Sequence, residues 1–230
     1  MTQPIQERTI FVLLGIFLLF ALTNFNETLG IIFLFMLSLD FIIFNSDNFV
    51  SFKTESRSDN RLQSVLYGII AYGVFIFASS AVVGILQGAD IFGGSFFGSV
   101  LETLSAAVPA LSDSKILTVL AWGVIIPMIE TRFFFGRMLE FLAEQFKVNL
   151  SKNGFGARQI FLFSVVSAIF TVFHLTAKSG QGNVALVLTF LFGMISCFMV
   201  VYFQELKQAI NLHVFSNTIA VLGKYGVNFA

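Results

Sequence analysis

Charged side chains are scarce in this sequence: only 11% of its 230 residues are Asp, Glu, Lys or Arg, against about 25% in a typical soluble domain. The 13 basic and 13 acidic residues cancel, so no excess of positive charge is available to attract nucleic acid. Cysteine occurs once, at Cys197, which excludes an intrachain disulfide. The shortage of charge excludes a soluble enzyme, a nucleic-acid-binding protein and a disordered linker.

Apolar residues take the place of the missing charge: 57% of the chain is hydrophobic, and 31 residues are Phe. Because one membrane-spanning helix needs about 20 residues, the chain has room for about seven or eight spans and for no sizeable domain outside the membrane. We therefore predict an all-α, polytopic transmembrane helix bundle in which residues 1–230 form a single membrane domain.

Seven apolar runs divide the chain, at about 9–25, 28–44, 64–86, 116–141, 159–177, 184–203 and 210–222. The mixed segment 90–110 fits an interfacial or re-entrant segment, or an eighth span. Seven spans place nine Lys and Arg residues on one side and three on the other, whereas eight spans give seven against five. Since positive charge accumulates in cytoplasmic loops, we predict about seven spans with the N-terminus in the cytoplasm. Residues 1–110 then form the N-terminal helices, and 116–222 form a C-terminal core.

Ionisable side chains at membrane depth are costly, so they are functional candidates. Glu130 lies inside the run 116–141, and His174 lies near the end of 159–177. His213 and Asn217 lie four residues apart in the last run, which puts them on one face of a helix. Both histidines of the chain, one glutamate and one asparagine thus fall on three helices of the C-terminal half.

Each candidate also has a structural interpretation. Glu130 could pair with Arg132 or Arg137 and tie helices together, and a histidine near a helix end is often interfacial. The pair in the last run could form an interhelical hydrogen bond, worth about 0.6 kcal/mol in a bilayer.

Together, one glutamate, two histidines and one asparagine supply the groups that the activation of water needs. A carboxylate in apolar surroundings can act as a general base, and a histidine beside it can share the attacking water. A second histidine and a carboxamide can donate hydrogen bonds to an oxyanion. Alternatively, Glu130, His174 and His213 could hold a divalent metal such as zinc, with water in an open position. Both schemes predict hydrolysis of an amide or ester within the membrane.

The C-terminal half resembles the CAAX protease and bacteriocin-processing (CPBP, or Abi) family of intramembrane proteases. The pattern of that family is E-E-x-x-x-R, then F-x-x-x-H, then H-x-x-x-N/D, each on a separate transmembrane helix. Glu130 matches the first glutamate, Phe170 and His174 match the second motif, and His213 and Asn217 match the third.

The first motif departs from the pattern at two positions. Thr131 stands where the second glutamate is expected, and Phe135 stands where the arginine is expected. The resemblance covers roughly 116–222, about half of the chain.

The resemblance implies an intramembrane endopeptidase that hydrolyses a peptide bond of a hydrophobic or membrane-anchored substrate, lipidated substrates included. It implies that Glu130 activates water with the help of His174, and that His213 and Asn217 stabilise the oxyanion or help to bind a metal. The two departures from the first motif keep an alternative open: a catalytically inactive relative that serves as a scaffold, an assembly factor or a subunit of a membrane complex.

The depth of the candidates follows from counting residues along the predicted helices. Glu130 and His213 lie about 10 residues from the cytoplasmic ends of their helices, which corresponds to a depth of about 15 Å. His174 lies about 15 residues from the predicted start of its own helix, about 7 Å deeper. The counting therefore predicts that His174 lies deeper in the membrane than the other two side chains.

Overall fold

A computed structural model describes residues 61–87, 116, 119–151, 155–174 and 182–225. Within these ranges all regular secondary structure is helical, without a β-strand, and the all-α prediction is confirmed for this part of the chain. The helices are α1 (Arg61–Gln87), α2 (Val119–Gln145), α3 (Ala157–Phe173), α4 (Gly182–Phe203) and α5 (Lys207–Lys224). The predicted runs 9–25 and 28–44 and the mixed segment 90–110 lie outside the described residues.

Three of these helices are long and apolar enough to cross a membrane: α1 over Val65–Ile85, α2 over its full length, and α4 over Val184–Phe203. Helix α3 is apolar but has only 17 residues. Large apolar side chains face outward, such as Ile70 on α1 and Phe198 on α4, as a lipid-facing surface requires.

Helix α2 changes its winding along its length. It is π-helical over Val119–Ile125, α-helical over Ile126–Glu130, π-helical again over Thr131–Met138 and α-helical over Leu139–Gln145. Such π-helical segments are rare and often occur at functional sites. Glu130 is the last residue before the second π-helical segment.

Pro127 explains how α2 is tied to α5. Because proline has no N–H, it supplies no hydrogen bond to the carbonyls of Trp122 and Gly123, five and four residues earlier. Two side chains of α5 donate to these carbonyls instead: Asn217 Nδ2 lies 3.3 Å from Trp122 O, and Thr218 Oγ1 lies 3.1 Å from Gly123 O. In a membrane, backbone groups freed by proline need partners of this kind from a neighbouring helix.

Glycine allows the closest helix contacts. A Cβ atom added at Gly193 of α4 would lie 2.8–3.0 Å from atoms of Ser167 on α3. A Cβ added at Gly68 of α1 would lie 2.7 Å from the Asn211 Cβ on α5. Small residues at such positions let helix backbones approach each other, which is how helices gain packing energy in lipid.

The helix ends differ from those predicted, and this changes the depth of the site. Helix α2 continues to Gln145 instead of ending near 141. Its last turn contains the exposed Glu144, so the helix extends beyond the apolar run from which its end was predicted. Glu130 is therefore 15 residues from the end of α2, and His174 is 17 residues from the start of α3 at Ala157. The predicted difference in depth between these two residues was too large.

Candidate active site

Three of the predicted site residues converge on one point inside the bundle. Glu130 Oε1 lies 3.7 Å from His174 Nε2, and Glu130 Oε2 lies 3.6 Å from His213 Nε2. The side chains are 8%, 17% and 4% exposed for Glu130, His174 and His213, respectively. Helices α2, α3 and α5 each contribute one of these groups. Both separations are longer than a hydrogen bond, so the carboxylate faces both imidazoles without a direct hydrogen bond to either ring nitrogen.

His174 is oriented by its own helix. It ends α3 as the C-cap residue, and its Nδ1 lies 2.8 Å from the carbonyl oxygen of Phe170. A carbonyl oxygen can only accept, so Nδ1 carries the hydrogen of this bond. In the neutral ring, Nε2 is then unprotonated and directs its lone pair at Glu130.

His213 is oriented by a residue of another helix. Its Nδ1 lies 2.9 Å from Thr131 Oγ1 on α2, and both residues are buried. Glu205 and Leu206, in the turn between α4 and α5 that precedes His213, are also buried.

Phenylalanine rings surround the two imidazoles. The Phe170 ring lies 4.3 Å from the His174 ring and 6.0 Å from the His213 ring, measured between centroids. Phe192 of α4 lies 4.7 Å from the His213 ring, and Phe173 lies 5.2 Å from the His174 ring. The F-x-x-x-H spacing thus places both an aromatic ring and a carbonyl acceptor next to His174.

Asn217, the fourth predicted site residue, contacts α2 at a different point. Its amide donates to the carbonyl of Trp122, which is the interhelical hydrogen bond of the structural interpretation. An amide nitrogen carries two hydrogens, so this bond leaves the second hydrogen available. Its role towards an oxyanion stays a prediction.

Two residues that support the site were not found as such in the sequence, although both were noted as departures from the family pattern. Thr131 bonds to His213, as described above. Phe135 is fully buried, and its ring lies 5.1 Å from Phe170 and 6.4 Å from Phe192, the two rings that contact the imidazoles. The spacing of four residues between Thr131 and Phe135, which places them on one side of α2, was the signal in the sequence.

A metal centre finds no support in this geometry. Among the described residues, no group of three or more His, Cys, Asp or Glu side chains has an arrangement that could hold a metal ion. The alternative in which Glu130, His174 and His213 hold a metal ion stays a prediction.

The comparisons with known proteins point to one family. Residues 112–219 match the family model described as type II CAAX prenyl endopeptidase Rce1-like. The matched segment contains all four predicted site residues. No curated protein and no solved structure matches the chain.

Proposed function

We propose that this chain, whose residues 112–219 match the family model described as type II CAAX prenyl endopeptidase Rce1-like, is an intramembrane endopeptidase that uses Glu130 to activate water. The observation that carries this proposal is the buried carboxylate of Glu130 between two imidazoles from two other helices. A purely structural role for Glu130 does not require this arrangement, because the hydrogen bonds of Asn217 and Thr218 already join α2 to α5.

The first step in the proposed mechanism is the attack of water on the scissile carbonyl carbon. A water molecule between Glu130 and Nε2 of His174 loses a proton to the carboxylate as its oxygen forms the new C–O bond. His174 Nε2 accepts the second hydrogen of that water as a hydrogen bond, which orients the oxygen lone pair towards the substrate. The surrounding phenylalanine rings keep bulk water away from the reacting atoms.

The second step is the collapse of the tetrahedral intermediate. The protonated Glu130 returns its proton to the amine nitrogen as the C–N bond breaks, which yields one new carboxyl terminus and one new amine. The second N–H of Asn217 is the proposed donor to the oxyanion. His213 supplies a second donor only after its Nε2, which carries no hydrogen in the neutral ring, has taken up a proton from solvent. Removal of one such donor typically costs about 100-fold to 1,000-fold in kcat.

The proposed substrate is a membrane-associated peptide that carries a lipid. The family description names prenyl endopeptidases, and the site lies among apolar helices whose outer surfaces expose large hydrophobic side chains. A peptide bond near a lipid anchor reaches such a site within the membrane plane, whereas a soluble peptide has to leave water first.

The test is cleavage by the purified protein in lipid vesicles. The probe is a prenylated peptide that ends in a CAAX sequence, and the released C-terminal fragment is measured by mass spectrometry. We expect the substitution Glu130→Gln to reduce cleavage by about 100-fold to 10,000-fold, since the amide cannot accept the proton. Glu144→Gln on the exposed last turn of the same helix is the matched control and should cleave like the unchanged protein.

Equal cleavage by the unchanged protein and Glu130→Gln would refute the proposed role of Glu130. No cleavage of the probe, together with unchanged processing of native membrane proteins in cells that express either form, would favour the inactive scaffold.

The mechanism also predicts how activity responds to metal chelators. Because Glu130 activates water directly and no step uses a metal, prolonged dialysis against a strong chelator should leave the rate unchanged. Loss of activity that returns on addition of zinc would contradict this mechanism and restore the metal alternative.

A further inference from the structure

Thr131 forms the middle of a hydrogen-bond chain whose direction is fixed. Its Oγ1 lies 2.7 Å from the carbonyl oxygen of Pro127 and 2.9 Å from Nδ1 of His213. A hydroxyl has one hydrogen, and the carbonyl can only accept it. With its hydrogen donated to Pro127, Thr131 Oγ1 must accept the bond from His213, so His213 Nδ1 carries a hydrogen.

This direction determines which ring nitrogen faces the carboxylate. With the hydrogen on Nδ1, Nε2 of the neutral His213 ring is unprotonated, and it lies 3.6 Å from Glu130 Oε2. His174 reaches the same state through its bond to the Phe170 carbonyl. Both imidazoles thus present an Nε2 lone pair to the two oxygens of one carboxylate.

Burial protects the hydrogen bond between Thr131 and His213 Nδ1 from water. Thr131 is fully buried and His213 is 3% exposed, so little solvent competes for Nδ1. A partner of the remote ring nitrogen commonly sets the tautomer of a functional histidine.

We propose that Thr131 is a positioning residue that holds His213 in the Nδ1–H tautomer, with Nε2 directed at Glu130. It occupies the place of the second glutamate in the family pattern and supplies a neutral acceptor there. The effect on the tautomer is independent of catalysis, and only its consequence for turnover depends on the proposed function.

The tautomer can be read directly, because His174 and His213 are the only two histidines in the chain. The experiment uses the full chain in detergent micelles or lipid nanodiscs, labelled with ¹⁵N in the histidine rings. Two-bond ¹H–¹⁵N correlations distinguish the two tautomers of a neutral ring, and His174→Gln assigns the two sets of signals. We expect both histidines of the unchanged protein to show the Nδ1–H pattern.

Three substitutions test the role of Thr131. Thr131→Val keeps the shape and removes the acceptor, so the His213 signals should shift towards the Nε2–H pattern while those of His174 stay unchanged. Thr131→Ser should keep the original pattern. Thr171→Val is the control, since Thr171 also donates to the carbonyl four residues earlier, at 2.7 Å, and should leave both histidines unaffected.

A His213 ring that shows the Nε2–H pattern in the unchanged protein, or one whose pattern survives Thr131→Val, overturns the proposal. Where cleavage is measurable, Thr131→Val should lower kcat by roughly 10-fold to 100-fold with little change in KM, as loss of a partner that orients a functional histidine does, and Thr131→Ser should restore it. If no cleavage is found at all, the proposed function fails while the NMR result still decides the role of Thr131.

Discussion

The carboxylate of Glu130 has two histidine neighbours, and the residues that differ from the family pattern support those neighbours. Thr131 accepts a hydrogen bond from His213, and Phe135 packs against two rings, Phe170 and Phe192, that contact the imidazoles. A neutral pair thus occupies the positions of a glutamate and an arginine. The departures from the motif are therefore compatible with an ordered site.

Phe135 provides a test of whether an apolar residue is required where the family pattern has an arginine. Because it is fully buried, the substitution Phe135→Arg places an unpaired charge in the core and should lower the free energy of unfolding by about 3–5 kcal/mol. Phe135→Leu is the apolar control and should cost less. The measurement is thermal or denaturant-induced unfolding in detergent micelles.

The double substitution Thr131→Glu with Phe135→Arg rebuilds the charged pair of the family pattern at a spacing of four residues. Opposite charges at this spacing attract each other on a helix, so the double variant should be more stable than the sum of the two single changes predicts. Additive effects would show that the surroundings of α2 no longer accommodate the ion pair.

The chemical identity of the site residues could be predicted from sequence, whereas their partners could not. Glu130, His174 and His213 stood out because ionisable groups are so few in the apolar runs. The bond between Thr131 and His213 joins residues that are 82 positions apart, and no local pattern encodes such a contact. A threonine in an apolar helix commonly bonds to its own backbone, so its second partner became visible only in the packed structure.

At the level of the helices, Pro127 links α2 to α5. The carbonyls that lack a donor because of this proline accept hydrogen bonds from Asn217 and Thr218. The apolar run at 116–141 predicted where this helix lies but not its π-helical segments, because hydrophobicity does not distinguish α-helical from π-helical winding. The ends of helices were also mispredicted, since polar turns can continue a helix beyond its apolar stretch.

A double-mutant cycle tests the link between the proline and α5. Thr218→Val removes the bond to the Gly123 carbonyl and should destabilise the protein by about 0.6 kcal/mol. In a Pro127→Ala background, the new backbone N–H can bond to that carbonyl, so the same substitution should cost less. Unfolding free energies of the four forms in micelles give the coupling, and a coupling of zero would exclude this explanation.

The contact between α3 and α4 depends on the absence of a side chain at Gly193. Gly193→Ala brings a Cβ within 3.0 Å of the Ser167 backbone, which forces the helices apart and should cost about 1–3 kcal/mol. Gly73→Ala is the control on α1, where an added Cβ meets nothing within 4 Å, and it should be neutral or slightly stabilising. Equal melting temperatures for the two variants would show that α3 and α4 can move apart around the added Cβ without loss of stability.

For the molecule as a whole, the contacts between loops define two ends of the bundle. Gln204, between α4 and α5, donates to the Leu150 carbonyl in the segment after α2, and Gln159 at the start of α3 donates to the Asn149 carbonyl. Tyr225, just after α5, packs instead against the cluster of Ala220 and Val221, against which Trp122 near the start of α2 also packs. The end near Asn149 therefore lies opposite the end near Tyr225.

The distribution of charge predicts which end faces the cytoplasm. Lys147, Arg158 and Lys207 lie at the Asn149 end, whereas Lys224 lies at the other, so the preference for positive charge inside places the Asn149 end in the cytoplasm. With the single native cysteine removed as Cys197→Ala, a cysteine introduced at the exposed Asn149 should react with a membrane-impermeant maleimide only after the cells are permeabilised. A cysteine introduced at the exposed Gly223 should react in intact cells. The reverse labelling pattern would invert the orientation, and labelling of both positions in intact cells would contradict a bundle whose two ends lie on opposite sides of the membrane.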